Sequence, residues 1–354
     1  MPWEGNGPFE IGNRVVGGWE WGLGSRMRTM MLLLALVAPA LGEEGAKRVK
    51  FLNYPECIEL SNGTTTVILG PHSGGRVLKY EFKGKDVLYL DPREAEWGTE
   101  KAKGRKFTSA GRFDIGPEYI IPRHEALWSG EWGAEITGPR AARMVSQVDK
   151  ATGVMLTRQF TLAKDSSHLS CKQIIMNLSG ETVRWCHWSR TFAKGGGIVV
   201  IPIDEMPARL PKGYVMYPAR NLINLQPEDS MVRRRGNFLE ILGPPAHPKL
   251  GLDSNGWMAY QLPEDVAFVK VYETPKDRPY SEVAAFNTSV WYPKQSKSPT
   301  VELEPIGPAN EMAPNTSASF TEDWFILENK FPPRGTDLNL AALAEMVNRQ
   351  CVLK

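Results

Sequence analysis

The strongest constraint in this sequence is a rhythm of two. Short runs rich in β-branched and aromatic residues recur at 64–69, 76–82, 86–90, 154–162, 168–176, 182–192, 197–203, 266–273, 283–291 and 318–327, separated by Gly, Pro, Asn, Asp and Ser. Successive side chains of a strand point to opposite faces, so runs of this kind build half-buried strands. Lys83-Gly84-Lys85-Asp86 and Leu178-Ser179-Gly180-Glu181 predict hairpin connections. One segment breaks the rhythm: 337–349, DLNLAALAEMVNR, carries Leu, Ala and Met at helical spacing, with Asp337 or Thr336 as its cap. No repeat of solenoid or propeller period is visible, and no low-complexity linker divides the chain. The expected fold class is all-β: one large, mostly antiparallel β-sandwich over about 48–335, followed by a C-terminal helix and tail at 336–354.

Charge and the N-terminal segment bound where such a sandwich works. The chain carries 42 Lys+Arg against 40 Asp+Glu, which offers neither a nucleic-acid footprint nor a polybasic membrane surface. The one long apolar run, 30–38 (MMLLLALVA), falls short of the roughly 20 residues a spanning helix needs. Arg26 and Arg28 precede it and Ala40-x-Gly42 closes it, the order of a secretory signal peptide at 27–42. A buried strand or helix is the competing assignment. The expectation is an exported chain, periplasmic or extracellular, mature from about Glu43 and free of the membrane after cleavage. Residues 1–26 read as an extension upstream of the natural start.

The reactive side chains are sparse. Cys57, Cys171, Cys186 and Cys351 lack Cys-x-x-Cys spacing, so no zinc site is expected. Cys171 and Cys186 would lie opposite each other if 168–176 and 182–192 formed a hairpin, leaving either a cross-strand bridge, which export permits, or two buried thiols. No nucleotide-binding loop, nucleophile elbow or His-Glu-x-x-His is present, and no cofactor is expected. Gly195-Gly196-Gly197 lacks the Lys and the helix of a phosphate cradle and reads as a turn.

His124, in a Pro-Arg-His-Glu loop, and His187, in Trp185-Cys186-His187-Trp188, each read singly as structural before catalytic. Asp114, Glu118 and His124 leave an oxygen-rich metal site open. Glu302 and Glu304 flank Leu303 and share one strand face, either solvated or turned into a cleft. Trp97, Trp128, Trp132, Trp185, Trp188, Trp257 and Trp291 either fill the core or, for two or three of them, line a cleft. A flat indole beside Arg, Asp, Glu and His suits a sugar, with its apolar C–H faces edged by hydroxyls. A mono- or oligosaccharide is therefore the expected partner.

Several segments, taken in order, resemble a known group. The stretch 71–80 (PHSGGRVLKY), followed by 84–88 (GKDVL), is similar to the opening hairpin of galactose mutarotase-like, or aldose 1-epimerase-like, proteins. Residues 301–308 (VELEPIGP), then 312–315 (MAPN) and 322–324 (EDW), look like the end of that supersandwich. The pattern 113–118 (FDIGPE) with 188–191 (WSRT) and a Gly-rich turn more closely resembles the uncharacterised exported DUF4380 group. The similarity spans roughly 50–328.

The resemblance implies a galactose mutarotase-like supersandwich with a sugar-facing concave surface, and anomer interconversion as the reaction. Glu304 would be its base, and His187 its acid, with His124 as the other sugar-contacting histidine. Arg76 would bind a sugar hydroxyl, and Asp114, Glu118, Trp128, Trp188 and Arg190 would complete the surface. The epimerase His-Pro/Thr-Tyr-Phe text is replaced here by His187-Trp188-Ser189-Arg190. Alternation along that strand sets two outcomes. Either His187 faces the cleft, or Trp188 and Arg190 do, and then a non-catalytic carbohydrate-binding or structural envelope protein is the alternative.

Overall fold

The computed structural model describes residues 44–204, 210–219, 222–293 and 299–351. The signal peptide expected at 27–42 lies outside them. Among the described residues the strands form two antiparallel sheets of 13 and 10 strands. The first runs in the order Gly45–Phe51, Tyr54–Ser61, Thr65–Gly70, Arg76–Phe82, Gly111–Gly116, Val183–Lys194, Thr300–Pro305, Thr288–Trp291, Lys249–Leu252, Val215–Ala219 and Leu222–Asn224. Lys85–Asp86 and Asn310–Met312 pair beside this path. The second runs Val232–Arg235, Phe238–Ile241, Ile198–Pro202, Trp257–Leu262, Val266–Tyr272, Ser317–Glu328, Leu169–Asn177, Val154–Leu162, Ala141–Val145 and Gly133–Gly138.

The inner faces of the sheets meet in one core. Val67, Leu69, Val77, Phe113, Ile115, Val301 and Leu303 come from the first sheet, and Leu156, Phe160, Ile175, Met258, Phe268 and Trp324 from the second. Val154–Leu162 shows the expected alternation, buried at every second position. Val266–Tyr272 is buried on both faces because the C-terminal helix Leu340–Gln350 covers its outer side. There Leu340, Leu343 and Val347 pack on Val200, Ala259, Val269, Phe325 and Leu327.

Three expectations change. The helix starts at Leu340, and its cap is Asn339, whose side chain accepts from the Ala342 amide at 3.1 Å. Asp337 is held instead by Arg233 at 2.7 Å, and Leu338 is buried in the core. Of the run 86–90 only Asp86 is in a strand, Lys85–Asp86, closed by Lys83 and Gly84 at φ 50° and 80°, the left-handed pair a two-residue hairpin requires. The turn at 178–181 is a crossover, because Leu169–Asn177 belongs to the second sheet and Val183–Lys194 to the first. Cys171 and Cys186 therefore never face each other, and all four cysteines are buried free thiols.

Candidate functional site

Alternation along four strands of the first sheet decides which side chains meet. On Gly111–Gly116, Phe113 and Ile115 enter the core, so Arg112 and Asp114 take the outer face. The same rule turns Trp188 and Arg190 outward on Val183–Lys194, Glu302 and Glu304 on Thr300–Pro305, and Lys249 on Lys249–Leu252, whose Leu250 is in the core. Register places Trp188 beside Asp114 and Arg190 beside Arg112. The segment 117–132 folds over this face. His124 reaches down to Asp114 and Trp128 lies flat on Arg112, 3.2 Å from its guanidinium.

The cluster is dense in charge and largely buried. His124 Nε2 and Asp114 Oδ1 are 2.9 Å apart, while His124 Nδ1 lies 2.7 Å from the Pro122 carbonyl oxygen. Arg190 stands 3.4 Å from Asp114 and 3.5 Å from Glu118. Lys249 joins Glu118 directly and lies 3.5 Å from Glu304. Glu304 is 0% exposed; its Oε2 accepts from the Trp188 indole at 2.7 Å, and its Oε1 has no partner among the described residues. Gly116 makes room for that indole, since a Cβ there would lie 2.4 Å from Trp188 Cε3.

The titrating groups follow from this packing. Burial opposes ionisation of Asp114, but the His124 hydrogen bond and charge, with Arg190 and Arg112, hold its carboxyl below the usual range. Burial likewise opposes the His124 cation, and Asp114 outweighs it, so the imidazole titrates above its ordinary value. Burial, and then the neighbouring Glu304 charge, push Glu302 up to about 8. Burial pushes Arg112 down to about 9. Stacking on a desolvated indole returns about 2 kcal/mol, less than the several kcal/mol that removing a cation from water costs.

An open cleft of about 340 Å³ lies above, lined by Asp114, Glu118, Ile121, Pro122, Arg123, His124, Glu125, Trp128 and Arg190. Five of the sequence-predicted residues thus come together: Asp114, Glu118, His124, Trp128 and Arg190. Four stand apart from the cleft. His187 points the other way, into the space between the sheets, 1% exposed and stacked on Phe320 at 5.7 Å, with neither ring nitrogen hydrogen-bonded among the described residues. Arg76 is sealed in an ion pair with Glu94 and donates to the Ser73 and Ser109 carbonyls. Trp188 and Glu304 lie beneath the cleft, bonded to each other.

The oxygens of Asp114 and Glu118 that were open to a metal are directed at His124, Arg190 and Lys249. Arg112 and Lys249 escaped the sequence reading. Arg112 could have been found as the residue two before Asp114 on the same face, whereas nothing local marks Lys249. A second cavity, about 370 Å³, contains the Lys276–Asp204 ion pair and none of the predicted residues.

Comparison with solved structures identifies the architecture. A galactose mutarotase-like protein from Lactobacillus casei superimposes with a TM-score of 0.53 at 11% identity, over 76% of this chain and 99% of that one. The fold is the galactose mutarotase-like supersandwich. A second such protein, from Clostridium acetobutylicum, matches with a TM-score of 0.52 at 15% identity, over 80% and 98% of the two chains. An Escherichia coli K12 protein provisionally described as an aldose 1-epimerase matches with a TM-score of 0.51 at 12% identity, over 76% and 97%. No protein-family profile and no curated protein matches the chain. The outer face that holds the charged cluster belongs to the larger of the two sheets of this supersandwich.

Proposed function

We propose that this chain recognises a carbohydrate in the cleft over the first sheet, with Trp128 as the stacking plane and Asp114, Glu118, His124 and Arg190 as the polar contacts. The observation that carries the reading is the convergence of these five side chains on one cleft of a mutarotase-like fold. A pyranose needs a flat apolar partner for its C–H face, and donors and acceptors around its rim. The indole supplies the first, and the guanidinium, imidazole and two carboxylates supply the second. The test is calorimetric titration across mono- and oligosaccharides. Asp114→Asn and Arg190→Gln are each expected to weaken the best ligand by tenfold or more, since hydrogen bonds to charged groups contribute about 1.5–3 kcal/mol. Absence of saturable binding to any sugar would overturn the proposal.

Anomer interconversion is the second reading, favoured by the His124–Asp114 pair. An imidazole held ready to protonate shares the cleft with Glu118, whose carboxylate is kept ionised, against the opposing effect of burial, by Arg190 and Lys249. One can give a proton while the other takes one, without metal or cofactor. On this geometry Glu118→Gln abolishes accelerated exchange and Glu304→Gln leaves it in place; the reverse pattern, read by polarimetry, restores Glu304 as the base. We also propose export through 27–42, tested by N-terminal sequencing of the secreted chain. A first residue near Glu43 supports it, and a retained 27–42 segment refutes it. We also propose a narrower kinship with the DUF4380 group, supported by 113–118, 188–191 and the Gly-rich turn.

A further inference from the structure

His124 sits between two oxygens. Its Nε2 lies 2.9 Å from Asp114 Oδ1, and its Nδ1 lies 2.7 Å from the Pro122 carbonyl oxygen. A carbonyl oxygen can only accept a hydrogen bond, and so can an ionised carboxylate. Both ring nitrogens must then carry hydrogen, which makes the ring an imidazolium. Its surroundings agree with that charge. Burial opposes it, but the Asp114 bond and charge outweigh burial, helped by the Pro122 carbonyl and by Asp149. Asp114, also against burial, is kept ionised by His124, Arg190 and Arg112. The other charged groups nearby are occupied: Arg123 with Glu125, Glu125 also with Lys106, and Glu118 with Arg190 and Lys249.

What this cation holds is a wall of the cleft. Ile121, Pro122, Arg123, His124, Glu125 and Trp128 form that wall, yet among the described residues the backbone of 120–129 makes no hydrogen bond to either sheet. Ile120 and Ile121 donate to Pro117, Leu127 and Trp128 to His124, and Ser129 to Glu125. Side chains carry the attachment: Ile121 and Leu127 against the core, Trp128 over Arg112, and the His124–Asp114 ion pair. In addition to the contact assigned above, we propose that His124 is a proton-operated latch, pinning this wall to the first sheet when doubly protonated and releasing it when one proton leaves. A neutral ring turns a lone pair toward one of the two oxygens, so one of the two bonds becomes a repulsion. Arg190 and Arg112 remain beside Asp114 to keep it ionised after the proton has gone. The latch is therefore closed at low pH and opens as pH rises.

Amide hydrogen exchange of the full chain, corrected for its intrinsic pH dependence, is followed from about pH 5.5 to about pH 9, and the His124 ring nitrogens are followed by NMR. Both nitrogens are expected to carry hydrogen at about pH 6, with the titration above the ordinary histidine value of about 6.5. Protection of 120–129 should drop by about tenfold or more through that titration, while Val154–Leu162 keeps its protection. His124→Gln should leave 120–129 weakly protected at every pH. A ring with one bare nitrogen at about pH 6, or protection of 120–129 that ignores the titration, overturns the latch and leaves the carbohydrate reading standing. The consequence for binding rests on that reading: affinity for the sugar found by calorimetry should fall over the same pH range, and an affinity that does not change overturns the link between latch and ligand. If no sugar binds while exchange still follows the titration, the carbohydrate reading falls and the latch stands. The measurements on the native chain decide the matter even if His124→Gln does not fold.

Discussion

Replacing His187 with leucine is expected to stabilise the protein, and to do so more as the solution is acidified. Burial pushes this imidazole down to about 3, Arg158 adds to the shift, and the backbone at Gln173 opposes it without completing a hydrogen bond. An unfolded histidine takes its proton near pH 6.5. Between those values the unfolded chain binds a proton that the folded chain refuses, so folding stability falls as pH falls, by about 1.4 kcal/mol per unit. From pH 7 to pH 5 the native protein should lose about 2 kcal/mol through this residue alone.

Leucine has nearly the same volume and no proton to refuse. It also removes two buried ring nitrogens without partners, a gain of about 1–3 kcal/mol at neutral pH. With an unfolding entropy of about 2.1 cal/mol/K per residue over about 300 residues, 2 kcal/mol corresponds to about 3 °C in Tm. Thermal unfolding of both proteins between pH 4.5 and 7 measures the difference. Parallel slopes, or a variant less stable than the native protein at pH 7, would refute the reasoning and return His187 to the list of functional residues.

Other perturbations probe the remaining parts of the fold. Lys270, buried between the sheets, pairs with Glu322 at 2.9 Å and donates to Ser189, Thr191 and the Leu303 carbonyl. Lys270→Met should cost about 3–5 kcal/mol in denaturant unfolding by stranding Glu322, and adding Glu322→Gln should recover much of it. Gly116→Ala should force Trp188 aside, break its bond to Glu304 and cost about 1–3 kcal/mol, with a shift in tryptophan emission.

The native protein should exceed Asp114→Asn in stability most clearly between about pH 4 and 6.5. Above that window the His124 contribution is lost as pH rises through its raised folded pKa. Below it the Asp114 contribution is lost as pH falls through its lowered one. A stability difference that does not change with pH would show that the two residues are not coupled.

The strands were legible where one face is buried and the other wet, as in Val154–Leu162. Short strands such as Lys249–Leu252 and Phe238–Ile241 were not, because four residues carry too little alternation to separate them from loop. The same alternation set out two outcomes for His187 and Arg190 but held no information on which face the second sheet would cover. That choice is made by packing: Phe320 and Trp324 arrive from the facing sheet and claim the His187 side. Arg76 misled because a strand arginine beside glycines looks available, whereas its partner Glu94 comes from a short 3₁₀ turn with no periodic signature.

The central strand of the site has consequences for how the molecule is made. Thr191 pairs with Gly111 about 80 residues upstream and with Leu303 about 112 residues downstream. Asp114, His124 and Trp128 lie close in sequence, but the ion pairs of the face are completed only when Lys249 and the segment around Pro305 have been synthesised. Closing loops of that length precedes any reward from the contacts they bring. Assembly of this face should therefore be slow.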